Sequence, residues 1–141
     1  MQNSENQASL AMDGGLERRL LQAAVAVAAC VPVFGGLAGA LMGAPMFEAS
    51  AADATSLDSH LRYLSGLLLG IGLTFWSLVP KIERAGAAFR LLTLLVVAGG
   101  LARLTGLVFT GRPSAVMLFA LVMELVVTPL LCLWQARLVR R

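Results

Sequence analysis

Four stretches of the chain, at about residues 20–42, 60–79, 89–110 and 114–134, are nearly unbroken runs of apolar residues. A helix needs about 20 such residues to cross the roughly 30 Å hydrocarbon core of a bilayer, and each run is about that long. The runs lack the period-two alternation of a barrel strand, and a lipid-facing chain must satisfy its own backbone hydrogen bonds, which helices do within one segment. Only 13% of the residues are charged and 58% are hydrophobic, against about 25% charged in an ordinary soluble domain. The expectation is an all-α integral membrane four-helix bundle over residues 20–141, with the lipid bilayer as its first partner. Little chain remains for a soluble catalytic module, so any site must be built from the helices or their short loops.

Residues 1–19 are polar at the start and Gly-containing, and read as a disordered tail ending at Glu17-Arg18-Arg19. The first apolar run outlasts the 7–15 residues or so of a signal-peptide core, which favours a retained helix over a cleaved one. Residues 44–59 carry Pro45, Glu48, Asp53 and Asp58 and no Lys or Arg, so they form a loop outside the bilayer. Pro80 ends the second run before a basic turn, and Gly111-Arg112-Pro113 makes the tight turn between the third and fourth. Arg18, Arg19, Lys81, Arg84, Arg90, Arg137, Arg140 and Arg141 all fall on one side of the membrane in this topology, with Arg112 the clear exception. The excess of cations on that side places both termini in the cytoplasm. The net charge of +3 is explained by cations beside apolar segments, where anionic head groups are the nearer partner, and not by nucleic acid.

Gly35, Gly39 and Gly43 in the first run, and Gly66 and Gly70 in the second, recur every four residues and so share helix stripes. Such stripes let backbones approach, either within the bundle or across a dimer. Pro32 and Pro129 each remove a helix hydrogen bond, so kinks are expected near them. Cys30 and Cys132 lie at different depths and are not expected to pair.

Arg103 and Glu124 are the sharpest feature, because each is an ionisable group inside an apolar run, where a charge at the centre costs about 2.5–3.5 kcal/mol to insert. Counting about 1.5 Å per residue from the outer turn, Arg103 lies roughly 10 Å deep and Glu124 roughly 15 Å, an offset that an extended Arg bridges. Gly99, Arg103 and Gly106 share one stripe, and Ala120, Glu124 and Thr128 another. The pair is either a structural ion pair that sets helix register or the floor of a ligand or proton site. At the outer end of the second run, His60, Arg62 and Tyr63 are either interfacial anchors, with Asp58 paired to Arg62, or the polar mouth of that same site. The chain has one histidine and distant cysteines, and no Gly-rich phosphate loop. We therefore expect no metal, no cofactor and no catalytic triad, since Asp58, Ser59 and His60 are neighbours in sequence and not convergent groups.

His60 to Gly66, Gly99-Gly100-Leu101-Ala102-Arg103-Leu104, Gly111 with Pro113, and Glu124-Leu125 together carry a resemblance, running from Leu57 to Arg137, to the bacterial domain of unknown function 4345 family. It implies a small protein with four spans in a bacterial inner membrane and implies no activity. Three functions stay open. The preferred one is a component binding an amphiphilic, anionic or quinone-like ligand in an outward-opening pocket. There Arg103 holds an acceptor group, Glu124 orients Arg103, and His60 and Tyr63 donate at the mouth. The second is a structural or accessory subunit of a larger membrane complex or homo-oligomer. The third is a membrane-embedded enzyme or proton-coupled carrier using Glu124, although the absence of a catalytic motif leans against an enzyme.

Overall fold

A computed structural model of the chain describes residues 2–43 and 54–140. Its elements are α1 (Gln2–Met42), α2 (Ala54–Leu78), a 3-10 turn (Val79–Lys81), α3 (Gly86–Thr110), α4 (Ala115–Val122), a π-helical turn (Met123–Val127) and α5 (Thr128–Arg140). The last three run on as one helix, Ala115–Arg140. There is no strand among the described residues, and the fold is all-helical as the composition requires. Among the described residues, four helices are long and apolar enough to cross a membrane: Gly14–Met42, Thr55–Lys81, Gly86–Phe109 and Ala115–Arg140. Large apolar side chains such as Val27, Phe34, Leu94, Phe109 and Val116 stand outward along them. Aqueous surfaces do not tolerate apolar patches on that scale, whereas acyl chains do.

The helix ends differ from the sequence expectation. α1 reaches back to Gln2 through the segment expected as a tail. That segment contains no proline, and a helix already nucleated extends at the cost of one residue's freedom per bond gained. α2 likewise takes in the polar residues from Ala54, and α3 starts at Gly86 instead of about residue 89. Pro45, Glu48 and Asp53 of the acidic loop, and Arg141, lie outside the described residues.

The chain divides into two compact units, residues 1–28 with 78–141, and residues 29–77. In the first unit the buried apolar residues include Leu21, Val25, Leu78, Ile82, Ala85, Phe89 and Leu92. The connector between α2 and α3 is held by two neutral amides. Gln22 Nε2 donates to the Val79 carbonyl at 2.8 Å, and Gln135 Nε2 donates to the Ile82 carbonyl at 2.9 Å. Gln135 is only 2% exposed, a burial that a primary amide tolerates only when hydrogen-bonded. Pro80 sits at the start of the 3-10 turn, where a missing N–H costs nothing. Trp134 Nε1 donates to Glu17 Oε1 at 3.2 Å, and Arg18 faces Glu83 at 3.6 Å, so the same end also carries polar links on its outside.

In the second unit the later part of α1 packs on α2 backbone to backbone. A Cβ placed at Gly36 would lie 2.5 Å from Leu69 N, and one at Gly72 would lie 2.7 Å from Val33 Cγ2. Of the two readings of the small-residue stripes, packing within the bundle is corrected for Gly35, Gly66 and Gly70: a Cβ added at any of them would meet nothing within 4 Å, and the close approach is made by Gly36 and Gly72, one stripe over. Spacing of four identifies residues that share a stripe but not which stripe turns inward. Phe34 and Trp76 meet edge to face, with centroids 6.5 Å apart.

An ion pair beside a π turn as candidate functional site

Pro129 shapes the local backbone of the last helix. Its ring clashes with the carbonyl four residues back and it offers no N–H, so a regular α-helix cannot run through it unchanged. The helix answers by widening over Met123–Val127 into a π turn. The Thr128 N–H donates to the Met123 carbonyl five residues back, and the Thr128 hydroxyl donates to the same oxygen at 2.8 Å. Pro32, by contrast, lies inside an uninterrupted α1. π turns of this kind recur at functional sites, and this one carries Glu124.

Opposite the turn, α3 presents Gly100. A Cβ there would lie 2.7 Å from Leu125 Cδ2 and 2.9 Å from Glu124 Cβ, so only glycine allows this approach. A Cβ added at Gly99 or Gly106, which share the Arg103 stripe, would meet nothing within 4 Å. One turn beyond Gly100, Arg103 closes on Glu124 in a two-pronged ion pair: Nε to Oε2 at 3.0 Å and Nη2 to Oε1 at 3.0 Å. Arg103 Nη1 also donates to the Met117 sulfur at 2.8 Å. The antiparallel course that permits this is set by the short link between the helices. Gly111 adopts φ 101°, open to glycine, and Ser114 begins α4 by accepting from the Met117 and Leu118 amides.

The parallel fork matches the geometry that makes Arg–carboxylate pairs both strong and directional. The Glu124 side chain is 16% exposed and that of Arg103 32%, so the guanidinium is the more open partner. Arginine carries five N–H groups, and three of them are engaged here.

The other expected site residues lie in the second unit. Arg62 is committed to the end of α1. Its Nη1 donates to the carbonyls of Ala40 at 2.9 Å and Leu41 at 2.7 Å, its Nη2 reaches that of Met42 at 3.4 Å, and its Nε pairs with Asp58 at 2.7 Å. Gly43, at φ 67°, donates its N–H to Gly39 at 2.9 Å. All four carbonyls that a helix leaves orphaned at its C-terminus are thus satisfied. His60 and Tyr63 stand exposed on the first turns of α2. Among the described residues no group of three or more His, Cys, Asp or Glu is placed to hold a metal ion. Gln22 and Gln135 were not singled out from the sequence, because a neutral amide beside an apolar run has no distinctive pattern. Each also meets its carbonyl across a long sequence separation, 57 residues for Gln22 and 53 for Gln135, so no local spacing marks either one.

The family model described as Domain of unknown function (DUF4345) matches residues 20–135. The chain belongs to that family. The DUF4345 match opens on the first residue of the first apolar run, so it takes in the apolar part of α1 as well as the later segments that carry Arg103 and Glu124. No curated protein and no solved structure shows a significant match to the chain.

Proposed function

We propose that this DUF4345 protein is a multi-pass component of a bacterial inner membrane, with both termini in the cytoplasm, that binds an amphiphilic molecule through Arg103. The observation that carries the reading is the state of that guanidinium. Three of its five N–H groups are engaged, about a third of its side chain is open, and it lies inside an apolar span. Polar hydrogens left unengaged inside an apolar span favour an acceptor-bearing partner, because each unsatisfied group in hydrocarbon costs several kcal/mol. A quinone-like carbonyl or an anionic group on a lipid-like molecule has that chemistry, and Glu124 would hold Arg103 facing it. The reading rests on α3 and the π turn alone.

The two-pronged closure together with the Gly100 contact favours a second reading, in which the pair only fixes the register of α3 against the last helix and the protein serves as a structural subunit. Mass spectrometry of molecules retained after gentle extraction separates the two. Under the binding reading, wild type retains a lipid-like molecule and the double variant Arg103→Met/Glu124→Met, folded but uncharged, loses it. Equal retention by both overturns the binding reading and leaves the structural one.

A further inference from the structure

At the opposite end of the first unit, where the connector between α2 and α3 is clasped by Gln22 and Gln135, a recess of about 310 Å³ is lined by Gly15, Arg18, Arg19 and Gln22. These residues lie at i, i+3, i+4 and i+7 on α1, hence on one face. Neither guanidinium donates a hydrogen bond among the described residues. Arg18 Nε is buried without a hydrogen-bond partner, its nearest carboxylate being Glu83 Oε1 at 3.6 Å. A Cβ added at Gly15 would meet nothing within 4 Å, so the recess is open where a side chain would close it. Leu20 begins the apolar run directly after Arg19, which puts both cations at the level of lipid phosphates. Trp134, tied to Glu17 at this end, is the residue type enriched at that level.

We propose that this recess binds the phosphate of an anionic phospholipid head group, independently of the Arg103 site. Two guanidiniums offer forked donors to phosphate oxygens. The Gln22 link to Val79 joins the helix face that lines the recess to the connector. Anionic lipid is the occupant that a membrane-level cationic recess meets at highest local concentration.

The test uses the full chain in detergent, titrated with phosphatidylglycerol, phosphatidylcholine or inorganic phosphate, with bound lipid counted by native mass spectrometry. Wild type should prefer phosphatidylglycerol to phosphatidylcholine. Arg18→Gln/Arg19→Gln should lose that preference by roughly 30-fold. Because that variant also removes the contact with Glu83, Gly15→Leu serves as the second arm: it fills the recess, changes no charge and replaces a glycine with a better helix former. Gly15→Leu should lose the preference too, and Arg84→Gln on the connector should keep it. Full binding by Gly15→Leu overturns the proposal, as does an equal loss in Arg84→Gln, which would mean diffuse charge only. Displacement of the lipid by millimolar inorganic phosphate would make free phosphate the occupant and overturn the lipid assignment.

Discussion

A double-mutant cycle on Arg103 and Glu124 measures how strongly the two-pronged pair couples α3 to the last helix. Glu124→Met removes both 3.0 Å acceptors and leaves Arg103 with only the Met117 sulfur. Stranding one partner of a fully buried pair costs about 3–5 kcal/mol, and inserting a lone Arg at the centre of a span about 2.5–3.5 kcal/mol. Arg103 sits off-centre and is 32% exposed, so its head can move toward the interface, and the cost should fall to about 2 kcal/mol. Arg103→Met should cost about as much. The double variant carries no charge and fills similar volume, so it should lie within about 1 kcal/mol of wild type. The coupling is then about 3 kcal/mol, above the roughly 0.6 kcal/mol average and 1.7 kcal/mol maximum measured for membrane hydrogen bonds, because two charged groups are involved and not neutral ones. Reversible unfolding in mixed micelles, followed by the fluorescence of Trp134 and by helicity, gives all four corners of the cycle. Single-variant effects that add to the double within about 0.5 kcal/mol would refute the reasoning, since independent sites add and coupled ones do not.

The glycines offer a paired comparison: Gly100→Val should lose about 1–3 kcal/mol through overpacking against Leu125 and Glu124, while Gly66→Ala, with open space around it, should be neutral or up to about 1 kcal/mol stabilising. Thermal unfolding of the two variants in the same detergent checks the contrast, and equal losses would place the helix contacts on the wrong stripes. Arg62→Ala should release the carbonyls of Ala40, Leu41 and Met42 together and destabilise the second unit by about 2 kcal/mol. Hydrogen exchange reads it locally, with faster exchange in the last turn of α1 and unchanged protection in α3.

Much of the architecture was legible because it depends on run length and composition. Four spans, their helical nature and the short Gly111–Pro113 turn need no knowledge of rotation about a helix axis. Which face turns inward does need it, and that is where Gly35, Gly66 and Gly70 misled: the sequence shows the spacing, but Gly36, Gly72 and Gly100 make the contacts. Arg103 and Glu124 were conspicuous because a charge in an apolar run is rare. Glu124 sits on the π turn, and Pro129 announces a disturbance without saying whether the helix bends or widens. Arg62 was readable as a partner of Asp58 four residues away. Its capping of a helix that ends twenty residues earlier is a long-range fact, invisible to local spacing.

The Gln22 and Gln135 amides that hold the connector carry no charge and do not titrate. Salt, which weakens exposed charge pairs within about a Debye length, has little purchase on such bonds. The arginines and the lysine around this end can therefore exchange counterions or lipids as the bilayer changes composition, while the backbone beneath them keeps its shape. Steadiness inside and responsiveness outside are assigned to different kinds of side chain.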